Sequence, residues 1–261
     1  MAGNEPGAVV ARRDQGVVSA KAKLKEYWGD AHILTDIEHL EASPSNYMPV
    51  VSVVEFKQAK AGDGDCYAIP GGAGKLAFTK TALDRFSTAA GVSWDWSASG
   101  RVDDGKDPYY CEFRAVGNYI TLDGQRRSVA MTKRIDLREG GADFEEITRI
   151  AARNSKDPMA QISGARQHIL SMAESKAKNR VVREVCGLKS SYDKEAIKKP
   201  FVLTKLVWIP PEGNPAIDAM IAAKELGMEH LLYSAGGEQQ PQRLQAAQPA
   251  PPLLPAPKDD D

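Results

Sequence analysis

With 261 residues, 34 Lys+Arg against 35 Asp+Glu, 42% hydrophobic and 26% charged, the chain is long enough for a real core and too ordinary in composition for wholesale disorder. No run approaches the roughly 18 unbroken apolar residues of a membrane span, and MAGNEPGAVVARRDQG lacks the apolar segment of a secretory signal, so a cytoplasmic protein with no membrane partner is expected. A formal net charge of −1 neither demands nor forbids a nucleic-acid partner, so what matters is whether the basic residues cluster.

In chain order, residues 1–16 are rich in Gly, Pro and charge and read as a loose arm. Ala20, Leu24 and Trp28 recur every fourth residue, so 17–28 reads as a short basic helix stopped by Gly29. HILTDIEHL is helical or irregular and ends at the turn cluster Ser43-Pro44-Ser45-Asn46. Tyr47 to Phe56 is β-branched and strand-like, and the AGDGD turn suggests a hairpin with Cys66 to Ile69. Thr79 caps a helix that buries Leu83, Phe86 and Ala90 and closes at Gly91. Tyr109 to Leu122 alternates as a strand, Asp123-Gly124 signals a two-residue turn, and the return strand runs from about Arg126 to Leu137. Phe144 to Asn154 reads as a helix broken at Lys156-Asp157-Pro158, and Ser163 to Cys186 as the longest helix, closed by Gly187. Phe201 to Ile209 is a strand and Asp218 to Tyr233 a last helix. Residues 17–233 therefore form a single α+β domain. From Ser234 the Gln/Pro/Ala-rich segment, tipped by Asp259-Asp260-Asp261, reads as a disordered tail.

Chemistry has few anchors. Cys66, Cys111 and Cys186 are odd in number and widely spaced, which suits inert thiols rather than a disulfide framework or zinc cage. His32, His39, His168 and His230 lie outside any HExxH or His/Cys cluster, so no metal and no cofactor is expected. Pro70-Gly71-Gly72-Ala73-Gly74-Lys75-Leu76 resembles a phosphate loop at first sight. A Walker loop needs glycine at position 69 and a hydroxyl at 76, where Ile69 and Leu76 stand, so a turn between strand and helix is the better reading. Asp36, Glu55 and Lys57 form a loose acid–ExK set of the kind that holds magnesium in nucleases, a pattern common by chance. No catalytic residues are assigned.

Two segments gather cations. On a continuous helix over 163–186, Arg166, Lys176, Arg180 and Arg183 fall within an arc of roughly 100°, with Lys178 and Asn179 adding polar reach. Leu170, Ala177, Val181 and Val185 occupy the neighbouring arc, suited to packing on a sheet. Such a face suits a phosphate backbone through counterion release; the bland account is a solvated face with Glu174 and Glu184 as partners. The hairpin adds Tyr109, Tyr110, Phe113 and Tyr119, then Arg126, Arg127, Lys133, Arg134 and Arg138. Aromatics interleaved with cations make a single-strand platform, rings stacking on unpaired bases; alternation sends half of the aromatics inward.

At AESKAKNRVVREVCGLKSSYDKEAIKKPF (173–201) the chain carries an acid–Ser–x–Ala–x–Asn–Arg–x–x–Arg helix followed by a Gly–hydrophobic turn. Together with GKLAFTKTALDRFSTAAGVSW upstream and the strand-rich hairpin, this resembles the bacteriophage single-strand annealing proteins of the RecT/Redβ, Erf and Sak types over about residues 47–209. The resemblance implies a β-β-β-α core, ring or filament homo-oligomers, and ATP-independent annealing of complementary strands in phage-type recombination, in the bacterial host cytoplasm. It places DNA between the long helix and the hairpin, on Lys176, Asn179, Arg180 and Arg183, with Lys133 and Arg134 a looser match.

The expectation is thus an α+β fold, an antiparallel hairpin sheet packed on a long helix, binding single-stranded DNA without being an enzyme. The alternatives are a protective single-strand binder whose acidic tail recruits a protein partner, a metal-dependent nuclease using Asp36, Glu55 and Lys57, and a structural protein without a nucleic-acid role.

Overall fold

The computed structural model describes residues 6–35, 37–56, 64–69 and 72–209. Asp36, Lys57, the AGDGD turn apart from Gly64 and Asp65, the helix expected over 218–233 and the tail from 234 lie outside the described residues. The fold is mixed α+β.

Helix α1 runs Pro6–Glu26, so most of the expected arm is helical. Gly16, one reason for reading an arm, is a packing residue: a Cβ there would lie 2.3 Å from Met48 Cγ, on the strand the helix covers. Val17, Ala20 and Leu24 are buried, whereas Trp28 lies beyond the helix end and is exposed. HILTDIEHL gives strand β1 (His32–Ile33) and a 3-10 helix (Ile37–Ala42). Strand β2 (Tyr47–Val54) does not pair with the Cys66 segment. Its partner is β9 (Phe201–Trp208), antiparallel from Tyr47↔Trp208 to Val54↔Phe201, and β1 pairs parallel along the other edge of β9. β3 (Cys66–Ala68) instead pairs with β4 (Leu76–Phe78), so the described residues 72–75 lead into a strand rather than a helix. Within that segment Gly72 N–H donates to Ile69 O and Lys75 N–H to Gly72 O, leaving neither amide for a phosphate.

Thr79 then caps α2 (Lys80–Ala90), its hydroxyl accepting from Ala82 N–H, and Gly91 closes the helix at φ +70°. The second sheet is centred on β7 (Tyr110–Ile120). β8 (Arg126–Asp136) pairs along one edge, while β5 (Ser93–Trp94) and β6 (Gly100–Arg101) share the other. The hairpin loop holds three residues rather than two: Thr121 N–H donates to Gln125 O, Gly124 N–H to Thr121 O, and Gly124 takes φ +81°. A turn whose third residue is left-handed is the usual three-residue hairpin solution. The β5–β7 side is pinned by Asp103, whose carboxylate accepts from Arg101 Nε and from the Glu112 and Gly105 amides. Those bonds, the guanidinium first, hold it well below the usual carboxylate range.

Helix α3 (Ala142–Arg153) follows, and the helix expected over 163–186 is two: α4 (Pro158–Gln167) and α5 (Ile169–Val185). His168 breaks them, with φ −117° and ψ 14° outside helical values. Asp157 caps α4 through a bond from Met159 N–H, which fixes a start earlier than Ser163. The short α6 (Lys194–Lys198) leads into β9.

α5 is shared between two cores. Ala173, Ala177 and Val181 pack on Cys111, Phe113, Ala115 and Ile135 of the hairpin. Val182 and Cys186 face the aromatic cluster of Phe56, Phe78, Phe86, Tyr192 and Phe201. All three cysteines are buried, and burial pushes the Cys186 thiol up to about 12, so it remains protonated.

Candidate nucleic-acid interface

The narrow alanine stripe of α5 lets the helix come close to the sheet. A Cβ on Gly117 of β7 would lie only 2.7 Å from Val181 Cγ1. The flank beside the stripe carries Lys176, Arg180 and Arg183, within roughly 60° of one another at 100° per residue. That flank faces β8, whose outer edge has no strand partner among the described residues.

Pairing fixes which groups of β8 reach the cleft. Residues of odd number bond back to β7, following the bonded pair Thr121–Gln125, so the carbonyl of Thr132 points outward. Arg180 Nη1 donates to it at 2.8 Å. Lys133 comes from the same strand, and its ammonium lies 3.9 Å from Asp143 Oδ1. Lys176 approaches the same oxygen at 3.5 Å. Asp143 sits in the first turn of α3, and its second oxygen accepts from Asp136 N–H at 3.1 Å. One carboxylate thus serves two ammonium groups, and Glu112 and Asp136 line the same hollow. Burial lowers Lys133 below the usual lysine range, and Lys176, Arg180 and Arg134 lower it further against the pull of Asp143.

Two more cations border this cleft. Arg134 reaches only its rim: paired with Glu112, it lies on the face of β8 away from α5, because the odd positions of the hairpin face the helix. Arg183 lies in an adjoining hollow with Arg180, Met131, Glu184 and Gly187, and its Nε is enclosed with no hydrogen-bond partner. Unmet buried donors of a charged group are costly. Asn179 is half-buried on α5, about 40° around from Arg183. Arg126 and Arg127 are exposed at the far end of β8, on opposite faces of the strand.

Other candidates go elsewhere. Arg166 belongs to α4, where it lies over the Tyr109 ring at 5.2 Å and donates to its hydroxyl at 3.2 Å. The helix break removes it from the α5 flank. Lys178 is half a turn away from that flank: it pairs with Glu174 and lies 4.1 Å from the centre of the Trp96 ring. Phe113 is a core residue at 8% exposure and cannot stack on a base, because odd positions of β7 face α5. Tyr110 is half-buried under Arg138, 4.6 Å from its ring centre, and that guanidinium is forked onto Asp136. Tyr109, 37% exposed, and the half-buried Tyr119 keep ring surface at the boundary with solvent.

Sequence reading missed Trp96, 63% exposed on the turn after β5. Asp95 builds that turn, accepting from the Ser97 and Ala98 amides. The signal was present in Trp94-Asp95-Trp96-Ser97, two indoles straddling a turn former. Asp143 was missed as well, since nothing local marks a counter-ion that arrives from another helix. Glu55 is exposed after β2, its carbonyl taken by Arg85. Among the described residues no three His, Cys, Asp or Glu side chains gather as metal ligands, and no helix is long and apolar enough to cross a membrane.

Compared with family models, with curated proteins and with solved structures, the chain finds no match.

Proposed function

We propose that the chain binds single-stranded DNA along the cleft between α5 and β8 and anneals complementary strands without ATP, acting as a homo-oligomer in the cytoplasm. The observation that carries this reading is the gathering of Lys133, Lys176 and Arg180 from two elements onto one cleft, where Lys133 and Lys176 share the carboxylate of Asp143, with Arg183 in the adjoining hollow. Phosphates entering the cleft replace that carboxylate as partners of the ammonium groups, releasing counterions as they do so. Neutralising the backbone of two strands lowers their mutual repulsion, and a row of subunits multiplies contacts that are weak singly. Bases are left unpaired and facing outward, because the cleft offers cations and backbone groups rather than a base-reading edge.

Gel shifts with single- and double-stranded oligonucleotides of one sequence, at two salt concentrations, test the binding. Preference for the single strand is expected, and equal affinity overturns the reading. A stopped-flow assay of complementary oligonucleotides then separates annealing from protection: an annealer speeds pairing, whereas a protective coat slows it.

A further inference from the structure

Below the hairpin tip lies a cavity of about 310 Å³, separate from the α5–β8 cleft. Leu34 after β1, Ile120 of β7, Val185 of α5 and Leu203 of β9 give it an apolar wall, and Thr35, His39, Thr121 and Asp123 also line it. Thr204 also lines it, and the hydroxyl of Thr204 is enclosed without a hydrogen-bond partner among the described residues. The amide of the same residue is satisfied, donating to Thr35 Oγ1 at 2.7 Å. At the rim, Tyr119 and Arg127 stand opposite each other in register on β7 and β8, and Arg127 is exposed.

From these features we infer that the cavity is a nucleotide pocket, taking a planar heteroaromatic base against its apolar wall and a phosphate at Arg127. Three properties of the site select that chemistry. An apolar wall interrupted by the hydroxyl-bearing Thr35, Thr121 and Thr204 fits a flat ring with a polar edge better than a wholly aliphatic guest. The Arg127 guanidinium at the mouth, close enough to help hold the Asp123 carboxyl low, pairs with an anion rather than with a neutral sugar. The volume stands at the small end of ligand sites, suited to one nucleotide and not to a larger cofactor. Tyr119 supplies an aromatic edge at the entrance. The inference rests on the reading of this chain as a single-strand binder in one respect: the nucleotide is then one residue of the bound strand, drawn out of the stack. A free mononucleotide has the same chemistry.

Calorimetric titration of the full chain with thymidine 5′-monophosphate and with thymidine tests the pocket. The monophosphate is expected to bind, and Thr204→Val and Ala90→Leu, the latter filling the cavity, each to weaken it by about threefold or more. Arg127→Gln is expected to weaken the monophosphate about tenfold and thymidine hardly at all. No binding, or binding indifferent to both Thr204→Val and Ala90→Leu, overturns the pocket; Thr204→Val keeps the shape of the side chain, so it remains decisive if the Ala90 variant misfolds. In parallel, Arg180→Ala is titrated with oligo-dT. Weakened strand binding together with an indifferent pocket leaves the cleft standing and removes the pocket; an intact pocket beside unchanged strand binding does the reverse. Oligo-dT carrying one abasic position assigns the source: lost affinity means that the strand supplies the nucleotide, and unchanged affinity means a free one.

Discussion

Asp143 decides how strongly the cleft is positive, because both lysine ammonium groups lean on it. Asp143→Asn keeps an acceptor for Asp136 N–H and removes the charge that holds Lys133 and Lys176. Part-exposed pairs of this kind are worth about 0.2–1 kcal/mol, so single-strand affinity is expected to rise about two- to fivefold in anisotropy titrations at low salt. Losing an acid from the first turn of α3 costs that helix a few tenths of a kcal/mol, visible as a small fall in melting temperature and separable from the binding change. Weaker binding by the variant refutes the role given to Asp143. Residue by residue, the spacing of Lys176, Arg180 and Arg183 was legible, because three- and four-residue steps return to one face of any helix. Lys178 was grouped with them only by nearness in sequence; two residues from each of Lys176 and Arg180, it points across the helix to Trp96. Alternation showed that only some hairpin aromatics face out, yet it did not say which parity. The covering helix settles that, by burying Cys111, Phe113 and Ala115 together.

Among the elements, the hairpin and α2 were readable because their signals are local: alternation with Asp-Gly in one, Thr79 and Gly91 in the other. The α4–α5 break was not, because Gln167-His168-Ile169 contains no Gly or Pro and the bend is imposed by docking two helices on one sheet. The pairing of β2 with β9 was likewise hidden, since no local pattern names a strand partner so distant in sequence. How closely α5 meets β7 is set by Gly117. Its added Cβ meets the buried Val181 at 2.7 Å and the half-buried Val92 at 3.1 Å, both rigid β-branched side chains. Gly117→Ala is therefore expected to cost about 1–3 kcal/mol, seen as a lower urea midpoint with an unchanged slope. The same displacement moves the Lys176–Arg180 flank off β8, so strand affinity is expected to fall even where the variant is fully folded. A variant as stable as the parent shows that the helix and sheet yield without strain.

For the whole molecule, the net charge of −1 is a poor guide to what the surface attracts. At physiological salt the field of an exposed charge fades within about 8 Å, so a strand in the cleft meets the local cations and not the sum. Many acids are already matched elsewhere, as in Glu41 with Lys21, Asp84 with Lys80, Asp65 with Arg85 and Asp103 with Arg101. If Lys133, Lys176, Arg180 and Arg183 all meet phosphates, the slope of log K against log salt for a single strand is about −2.8 per subunit; if Lys133 and Lys176 stay on Asp143, it is about −1.4. A slope between those limits is expected for an oligo-dT just long enough for one subunit, measured by anisotropy from low to moderate salt. Removing one true phosphate contact flattens it by about 0.7, so Arg180→Ala and Lys176→Ala should each do so, whereas Lys178→Ala on the opposite flank should leave it unchanged. A slope shallower than about −1 in the parent is too small for a backbone-binding cleft, and flattening by the Lys178 variant alone transfers the binding surface to the Trp96 side of α5.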